Sequence, residues 1–354
     1  MTDLEKLCSR VTEAADCAVI TDDVNRRYFT AMKSSAGTLV VFPEKAYFII
    51  DFRYIEKAKK TVTACEVILQ DKLYEQINSL IEKHGAKTVS VNADTCTLSE
   101  LIAYQQKLNA EVIADTKLAE IIREIRTVKS QDQIDKIIKA QRIAEKGFAH
   151  MLDFIKVGRT EKEIQLELDY YMLKNGAEAL SFDTIALSGS NTSLPHGVPS
   201  DKKVESGEFV LMDFGATYDG WHSDMTRTVC VGKPSDKMKS VYETVLTAQL
   251  SALDAVKAGM SGKALDKIAR DIITEAGYGD NFGHSLGHGV GVEIHESPYA
   301  SPSREDILPE NSIVTVEPGI YLEGKFGVRI EDFVVVTENG CINMTKAPKE
   351  LICL

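Results

Sequence analysis

The chain has 354 residues, 44% of them apolar and 27% charged, with a formal charge of −12. That length predicts about two domains of roughly 150 residues each. The acidic balance argues against a nucleic-acid backbone or an anionic membrane as principal partner, and no apolar run approaches the ~18 residues of a membrane-spanning helix.

Seven cysteines (8, 17, 65, 96, 230, 341 and 353) are dispersed, with no Cys-x-x-Cys pair. This pattern fits buried thiols in a reducing compartment rather than disulfides or a zinc ribbon. The opening Met-Thr-Asp-Leu-Glu-Lys has no basic segment leading into an apolar run, so no secretory signal is expected and the location expected is cytoplasmic.

From residue 1 to about 126, strand patterns at 18–20, 37–42, 47–50, 66–69, 88–91 and 111–113 alternate with helical ones at 74–83 and 99–107, which predicts an α/β domain. Asp51 and Arg53 follow an apolar strand and read as a solvated strand end rather than pocket residues. A boundary is expected at 126–129, giving domains 1–126 and 127–354. Beyond it, Ser130 with Gln133 and Thr160 with Glu163 form capping-box patterns that open two helices, the second ended by Gly176. Further helices are expected over 236–257 and 262–276. Strands are expected near 184–187, 209–231, 313–316 and 328–336, so the second half reads as α+β, helices covering an antiparallel sheet.

The chemistry collects in this second half. Residues 283–298, Gly-His-Ser-Leu-Gly-His-Gly-Val-Gly-Val-Glu-Ile-His-Glu-Ser-Pro, hold His284, His288 and His295 in a glycine-rich stretch whose backbone can approach a ligand closely. In 209–231, Asp219-Gly220 is a hairpin signal. A turn centred there sets Asp224 opposite Gly215, so Asp213 and Asp224 share a face as diagonal neighbours, roughly 7–8 Å apart at the backbone. Arg227 falls on the opposite, outward face. Asp213 within Val-Leu-Met-Asp-Phe, Glu317 after Ile-Val-Thr-Val, and Glu331 within a strand are acids in apolar runs, unfavourable unless paired or metal-bound. These four acids with one histidine carry more negative charge than one divalent ion neutralises. Two ions would suffice, and such a pair can activate a water for attack on a carbonyl or phosphoryl centre. No His-Glu-x-x-His, Gly-x-Gly-x-x-Gly, phosphate-loop or nucleophile-elbow motif is present.

The order Asp213, Asp224 in Ser-Asp-Met-Thr-Arg-Thr, His288 in Gly-His-Gly-Val-Gly, Glu317 in Val-Glu-Pro-Gly-Ile-Tyr and Glu331 in Arg-Ile-Glu-Asp resembles the pita-bread metallopeptidases. The likeness is greatest to their proline-specific branch, aminopeptidase P and prolidase, and extends to Leu194-Pro-His196-Gly. It covers 127–354 closely, while 1–126 resembles the creatinase-type N-terminal domain. The resemblance implies a metal set of Asp213, Asp224, His288, Glu317 and Glu331 holding two divalent ions, manganese foremost, with cobalt, zinc or iron also compatible. It further implies Glu317 as general base, His295 as a donor to the oxyanion or leaving group, and His196 and His284 around the substrate. Arg329 would either hold the substrate's proline or carboxylate side or fix the strand of Glu331 by an ion pair, and His222, which has no family role, would be a surface or rim residue. The expected reaction is removal of an N-terminal residue before proline by a homodimer or higher homo-oligomer. A dipeptide-restricted prolidase is the alternative, and a pseudo-enzyme on the same fold a remote one. Arg329 is the only cation placed beside the acids, so the sequence favours a site open beyond the proline, and hence aminopeptidase over dipeptidase.

Overall fold

In the computed structural model, which describes residues 1–354, the short apolar runs of the first third become β1 (Cys17–Ile20), β2 (Thr38–Val41), β3 (Ala46–Ile50), β4 (Glu66–Leu69), β5 (Thr88–Val91) and β6 (Glu111–Ile113). They form one mixed sheet in the order β4-β3-β2-β1-β5-β6. The β1–β2 and β2–β3 pairs are antiparallel and the outer pairs parallel. Between them run α1 (Asp3–Arg10), α2 (Asp23–Thr30), α3 (Ile55–Thr61), α4 (Leu73–His84), α5 (Leu98–Lys107) and α6 (Lys117–Thr127). Sequence periodicity finds α4 and α5 but not the 7- and 8-residue helices, which are too short for a full apolar stripe. Their caps are legible, though: Thr2 and Glu5 form a capping box, and Asp22 accepts from Asn25 N. One face of the sheet buries Ala18, Leu39 and Phe48 with Leu118, Ile121 and Ile125 of α6, and the other buries Val19, Val40 and Ile49 with Ile77 and Leu80 of α4. Asp51 pairs with Arg53 at 2.6 Å, and Arg53 is largely exposed, the solvated strand end expected.

The chain clusters into units Met1–Arg126 and Thr127–Leu354. In the second, α7 (Gln131–Phe154) and α8 (Glu161–Lys174) both open with capping boxes, at Ser130/Gln133 and Thr160/Glu163. Gly176, at φ 104°, follows the α8 cap in a conformation that favours glycine. The remaining helices are α9 (Asp236–Ala255) and α10 (Gly262–Glu275). The strands are β7 (Ala179–Leu180), β8 (Ile185–Ser188), β9 (Glu208–Phe214), β10 (Ala216–Tyr218), β11 (Trp221–His222), β12 (Met225–Val231), β13 (Gly287–Gly289), β14 (Glu296–Ala300), β15 (Ile313–Val316), β16 (Gly319–Leu322), β17 (Phe326–Arg329), β18 (Asp332–Thr337) and β19 (Gly340–Asn343).

Every ladder in this unit is antiparallel, but the expected sheet is divided into short pieces: β12-β9-β8, β11-β10-β7, β13-β14, β15-β18-β19 and β16-β17. The breaks fall at Gly215, at Ser223 and Asp224, at Glu317 and Pro318, and at Ile330 and Glu331. Three of these breaks hold acids singled out above, so Asp224, Glu317 and Glu331 sit where ladders open, and Glu331 lies between β17 and β18 rather than inside a strand. Ladder openings free a side chain from the strict two-residue alternation and let acids from different strands turn toward one point. Two cores flank these strands. One packs Phe148, Leu168 and Met172 of α7 and α8 on Met212, Phe214 and Met225, and the other packs Val241, Leu265 and Ala269 of α9 and α10 on Val314, Val328 and Val334.

Candidate metal centre

The hairpin register is the one the Asp219-Gly220 turn predicts: Tyr218 pairs with Trp221, and farther along Thr226 pairs with Asp213. Asp213 and Asp224 therefore reach the same side, and Thr226 stands directly across from Asp213. Glu331 approaches from the β17–β18 junction, its backbone N–H donating to Thr226 O at 3.1 Å and its Oε2 accepting from Thr226 Oγ1 at 2.8 Å. His288 comes from β13, which lies so close to β15 that a Cβ on Gly287 would collide with Thr315 O. The His288 N–H donates to Thr315 Oγ1 at 3.0 Å. Its Nδ1 donates to Gly289 O at 3.1 Å, the tautomer that leaves Nε2 facing the acids.

Ligand atoms of Asp224, His288 and Glu331 all lie within 4.8 Å of one another. His288 Nε2 is 3.3 Å from Glu317 Oε1 and 3.6 Å from Asp224 Oδ2. Arg329 Nη2 donates to Asp213 Oδ2 at 2.5 Å. Asp224 and Glu331 are 4% and 1% exposed, so their ionisation is governed by their neighbours rather than by solvent. Burial, and then the charge of Asp213, pushes Asp224 well above the ordinary carboxylate range. Burial followed by Asp224 does the same to Glu331. Asp213 is raised by burial against the pull of Arg329. For His288, burial favours the neutral ring, but Glu317 and Asp224 outweigh it and lift its pKa to about 9. Glu317 is held at about 2, its own burial overcome by the bond to His288. One imidazole and one guanidinium thus do not supply enough positive charge for four clustered acids. Two carboxylate oxygens, Asp213 Oδ1 and Glu331 Oε1, are buried with no hydrogen-bond donor. Unmatched buried acceptors beside an imidazole nitrogen are the donor set of an oxygen-rich divalent-cation site.

The remaining residues singled out from the sequence line or border one cavity of about 810 Å³, whose walls include Phe182, Ile185, His196, Val198, Ile294 and His295. His295 stands with its ring 4.3 Å from that of His288. Burial and the neighbouring His288 lower its pKa, so it is a neutral imidazole at pH 7. His284 is also neutral, its pKa lowered chiefly by burial. Its ring is fully engaged: Nδ1 donates to Ser285 O at 2.8 Å, and Nε2 bonds the Tyr321 hydroxyl at 2.9 Å. Four of the five N–H groups of the Arg329 guanidinium are engaged, by Tyr321 Oη at 2.7 Å, Thr226 Oγ1 at 3.0 Å and Pro195 O at 3.3 Å besides Asp213. Its ionic partner is Asp213, not Glu331, because the side chain reaches back across β12 from the end of β17. His222 lies outside the cluster, with its ring against Thr217 Oγ1 at 3.3 Å.

Arg227 departs from the expectation of an outward, solvent-facing side chain. It does point away from Asp213, as the alternation requires, but it is 1% exposed. It pairs with Asp332 at 2.7 Å and donates to Pro348 O and Ala347 O, because the C-terminal segment covers that face. Sequence reasoning also misses Thr226 and Tyr321, the two hydroxyls that hold Glu331 and Arg329. Position 226, in register with Asp213, is a signal that could have found the first. Nothing short of the fold brings Tyr321 to His284.

Comparison with known proteins identifies the family. Residues 135–338 match the model of metallopeptidase family M24, and residues 4–128 match the creatinase/prolidase N-terminal domain. An Xaa-Pro dipeptidase of Pyrococcus furiosus is 39% identical over 99% of both chains. The structure of an Xaa-Pro dipeptidase from Bacillus anthracis superposes with a TM-score of 0.96 at 42% identity, over 99% of both chains. That of an X-Pro aminopeptidase from Thermotoga maritima superposes at 0.91 with 39% identity, covering 96% of this chain and 98% of that one. With its pita-bread catalytic unit and creatinase-type N-terminal domain, this chain belongs to metallopeptidase family M24.

Proposed function

We propose that the chain is an Xaa-Pro dipeptidase working with two divalent ions held by Asp213, Asp224, His288, Glu317 and Glu331. The observation that carries the metal requirement is the pair of buried oxygens without donors, Asp213 Oδ1 and Glu331 Oε1, within an acid cluster short of positive charge. Asp213, Asp224, Glu317 and Glu331 would supply carboxylate oxygens to the ions and His288 an imidazole nitrogen. When bound, such ions act as Lewis acids on a peptide carbonyl and acidify water enough for it to attack at neutral pH. The oxygen-rich set with one imidazole suits manganese first, and cobalt, zinc or iron also.

Glu317, whose Oε1 also accepts from Thr315 Oγ1 at 3.2 Å, would take the proton of the attacking water and deliver it to the proline nitrogen as the C–N bond breaks. His295, neutral beside His288, would donate a hydrogen bond to the carbonyl oxygen as charge develops there. His196, exposed at the cavity wall, would meet the proline side of the substrate, while His284 would shape the site through its bond to Tyr321. A bond to proline lacks the amide N–H that peptidases ordinarily grip, and none of these groups needs it.

The dipeptide reading draws on the dipeptidase relatives named above, which match this chain end to end. It replaces the preference for aminopeptidase that the sequence alone suggests. One observation favours that second reading: the Arg329 guanidinium is spent on protein groups, so no arginine stands free in the cavity for a substrate carboxylate. The reading includes self-association and a reducing compartment, the latter supported by seven free cysteines. The deciding experiment compares kcat/KM for an Xaa-Pro dipeptide with that for the same sequence extended by two residues, in added manganese. A dipeptide preference above tenfold, about 1.4 kcal/mol, is expected. Equal or better cleavage of the extended peptide would transfer the assignment to aminopeptidase.

A further inference from the structure

One buried acid lies outside the cluster and takes no part in the chemistry above. Glu161, in the first turn of α8, is 0% exposed and pairs with no cationic side chain. Its two oxygens instead gather the two ends of one segment. Oε1 accepts from Ser188 N at 2.7 Å, Ser188 Oγ at 3.1 Å and Asn191 Nδ2 at 3.0 Å. Oε2 accepts from Ser200 N at 3.0 Å, Ser200 Oγ at 2.6 Å and again from Asn191 Nδ2, at 3.2 Å. Charge-assisted bonds of this kind, with the helix N-terminus beside them, are what make a buried unpaired carboxylate tolerable.

The segment it closes, residues 188–200, is a strap along the cavity. Pro195, His196, Gly197, Val198 and Pro199 form that wall. The strap is also tied in its middle, where Thr192 Oγ1 accepts from Gly327 N at 2.8 Å and Pro195 O from Arg329 Nη1 at 3.3 Å. The His196 ring makes no hydrogen bond within the chain and is exposed. Its place is therefore set by the strap backbone alone.

We propose that Glu161 is a positioning residue for the substrate, acting through the 188–200 strap to hold His196 and the apolar wall at the cavity. The kinetic half of this proposal rests on the reading of His196 as a substrate-facing group; the mechanical half does not. The geometry makes the charge indispensable. The two backbone N–H groups, of Ser188 and Ser200, fall on different oxygens of Glu161, and a glutamine offers only one acceptor oxygen. Glu161→Gln must therefore turn an NH₂ toward one of these donors and loosen that end of the strap, leaving it to the β8–β9 pairing at Ser188 or to the Lys162 N–H bond to Ser200 O at 3.1 Å.

The test uses the full metal-loaded protein. In Glu161→Gln, amide hydrogen exchange of residues 188–200 should quicken while the segments holding the five proposed metal residues keep their protection, and metal content should be unchanged. KM should rise about tenfold with kcat within about twofold, since the wall binds ground and transition states alike. In a His196→Ala background the Glu161→Gln effect on KM should shrink to the part carried by the apolar wall, whereas a general loss of structure would add in full to that of His196→Ala. If Glu161→Gln does not fold, Asn191→Ala, which removes only the donor shared by both oxygens, carries the same measurements. Unchanged exchange at 188–200, or fully additive effects on KM, overturns the proposal. Should His196→Ala itself leave KM untouched, the reading of His196 is lost, and the exchange data alone decide whether Glu161 holds the strap.

Discussion

Arg329 grips one oxygen of Asp213 and leaves the other bare: Nη2 lies 2.5 Å from Oδ2, while Oδ1, buried, has no donor. This asymmetry turns an ion pair into an aiming device. The guanidinium is itself fixed by Tyr321, Thr226 and Pro195, so Asp213 is held in place near Asp224 and Glu331, whose pKa values its charge helps to raise. Outer partners that orient a ligating carboxylate matter nearly as much as the ligand. Arg329→Gln is expected to weaken metal affinity about 10–100-fold, by the loss of an orienting partner. Metal titration of the variant checks this, and affinity equal to the parent chain refutes it.

Asp224→Asn should remove most of the bound metal and reduce turnover below detection. Asp224 is 4% exposed and its carboxylate faces both His288 and the other acids, so a neutral amide there withdraws charge from the centre of the set. Elemental analysis showing two tightly held ions with ordinary turnover would remove Asp224 from the metal set.

His295→Ala should keep its metal and lose about 10²–10³-fold in kcat, the usual effect of one oxyanion donor. Its ring sits 4.3 Å from that of His288 and makes no hydrogen bond or ion pair with any of the four acids. Loss of metal along with the imidazole would instead make His295 a ligand.

Why some of this is legible in the sequence and some is not comes down to range. Asp219-Gly220 is a local signal, and it fixes the pairing of β9 with β12 for the whole length of the ladder, from Phe214 with Met225 to Glu208 with Val231. Counting alone therefore sets Asp213 and Asp224 on one face. Capping boxes at Ser130 and Thr160 are local too, and both stand where expected. The sequence pattern puts Glu331 inside a strand because an apolar run carries no mark of a ladder opening, which depends on what lies beside it. Arg227 escapes the pattern for a similar reason. Its burial comes from residues 347 and 348, some 120 positions away, and alternation tells which face a side chain takes but not what covers that face. In the sequence Glu161 is an ordinary first-turn acid; only the return of Ser188 and Ser200 to its carboxylate makes it otherwise.

The burial of Arg227 leads to a stability prediction away from the chemistry. Asp332, fully buried, accepts from Arg227, Lys349 and Asn343, and these partners hold its pKa low against its own burial. Asp332→Ala would leave a buried guanidinium without its counter-charge, at a cost of about 3–5 kcal/mol. Denaturant unfolding of the metal-loaded variant measures it, and a loss below about 1 kcal/mol would show that the backbone carbonyls around Arg227 suffice alone.

Removing the metal should make stability depend on pH in a particular direction. In the metal-free protein Asp224, Glu331 and Asp213 have raised pKa values, each pushed up first by burial. A carboxyl with a raised folded-state pKa stabilises the fold fully below its unfolded value, near 4, and that contribution is lost as pH rises through the folded value. His288, lifted to about 9, behaves alike: its contribution is present below about 6.5 and fades as pH climbs through 9. Glu317 has the opposite sign, but at about 2 its change is confined to strongly acid solution. Below about pH 6.5 the lowered pKa values of His284 and His295 oppose this trend, because losing their protons there favours the fold; between pH 7 and 9 the resolved shifts at the site point the same way. Chelator-treated protein should show a Tm that falls steadily over that range. Protein saturated with manganese, in which cations replace the missing positive charge, should show a smaller fall, and the gap between the two curves should widen with pH. Parallel curves would mean that the buried acids are balanced without metal, and the case for a two-ion centre would fall with them.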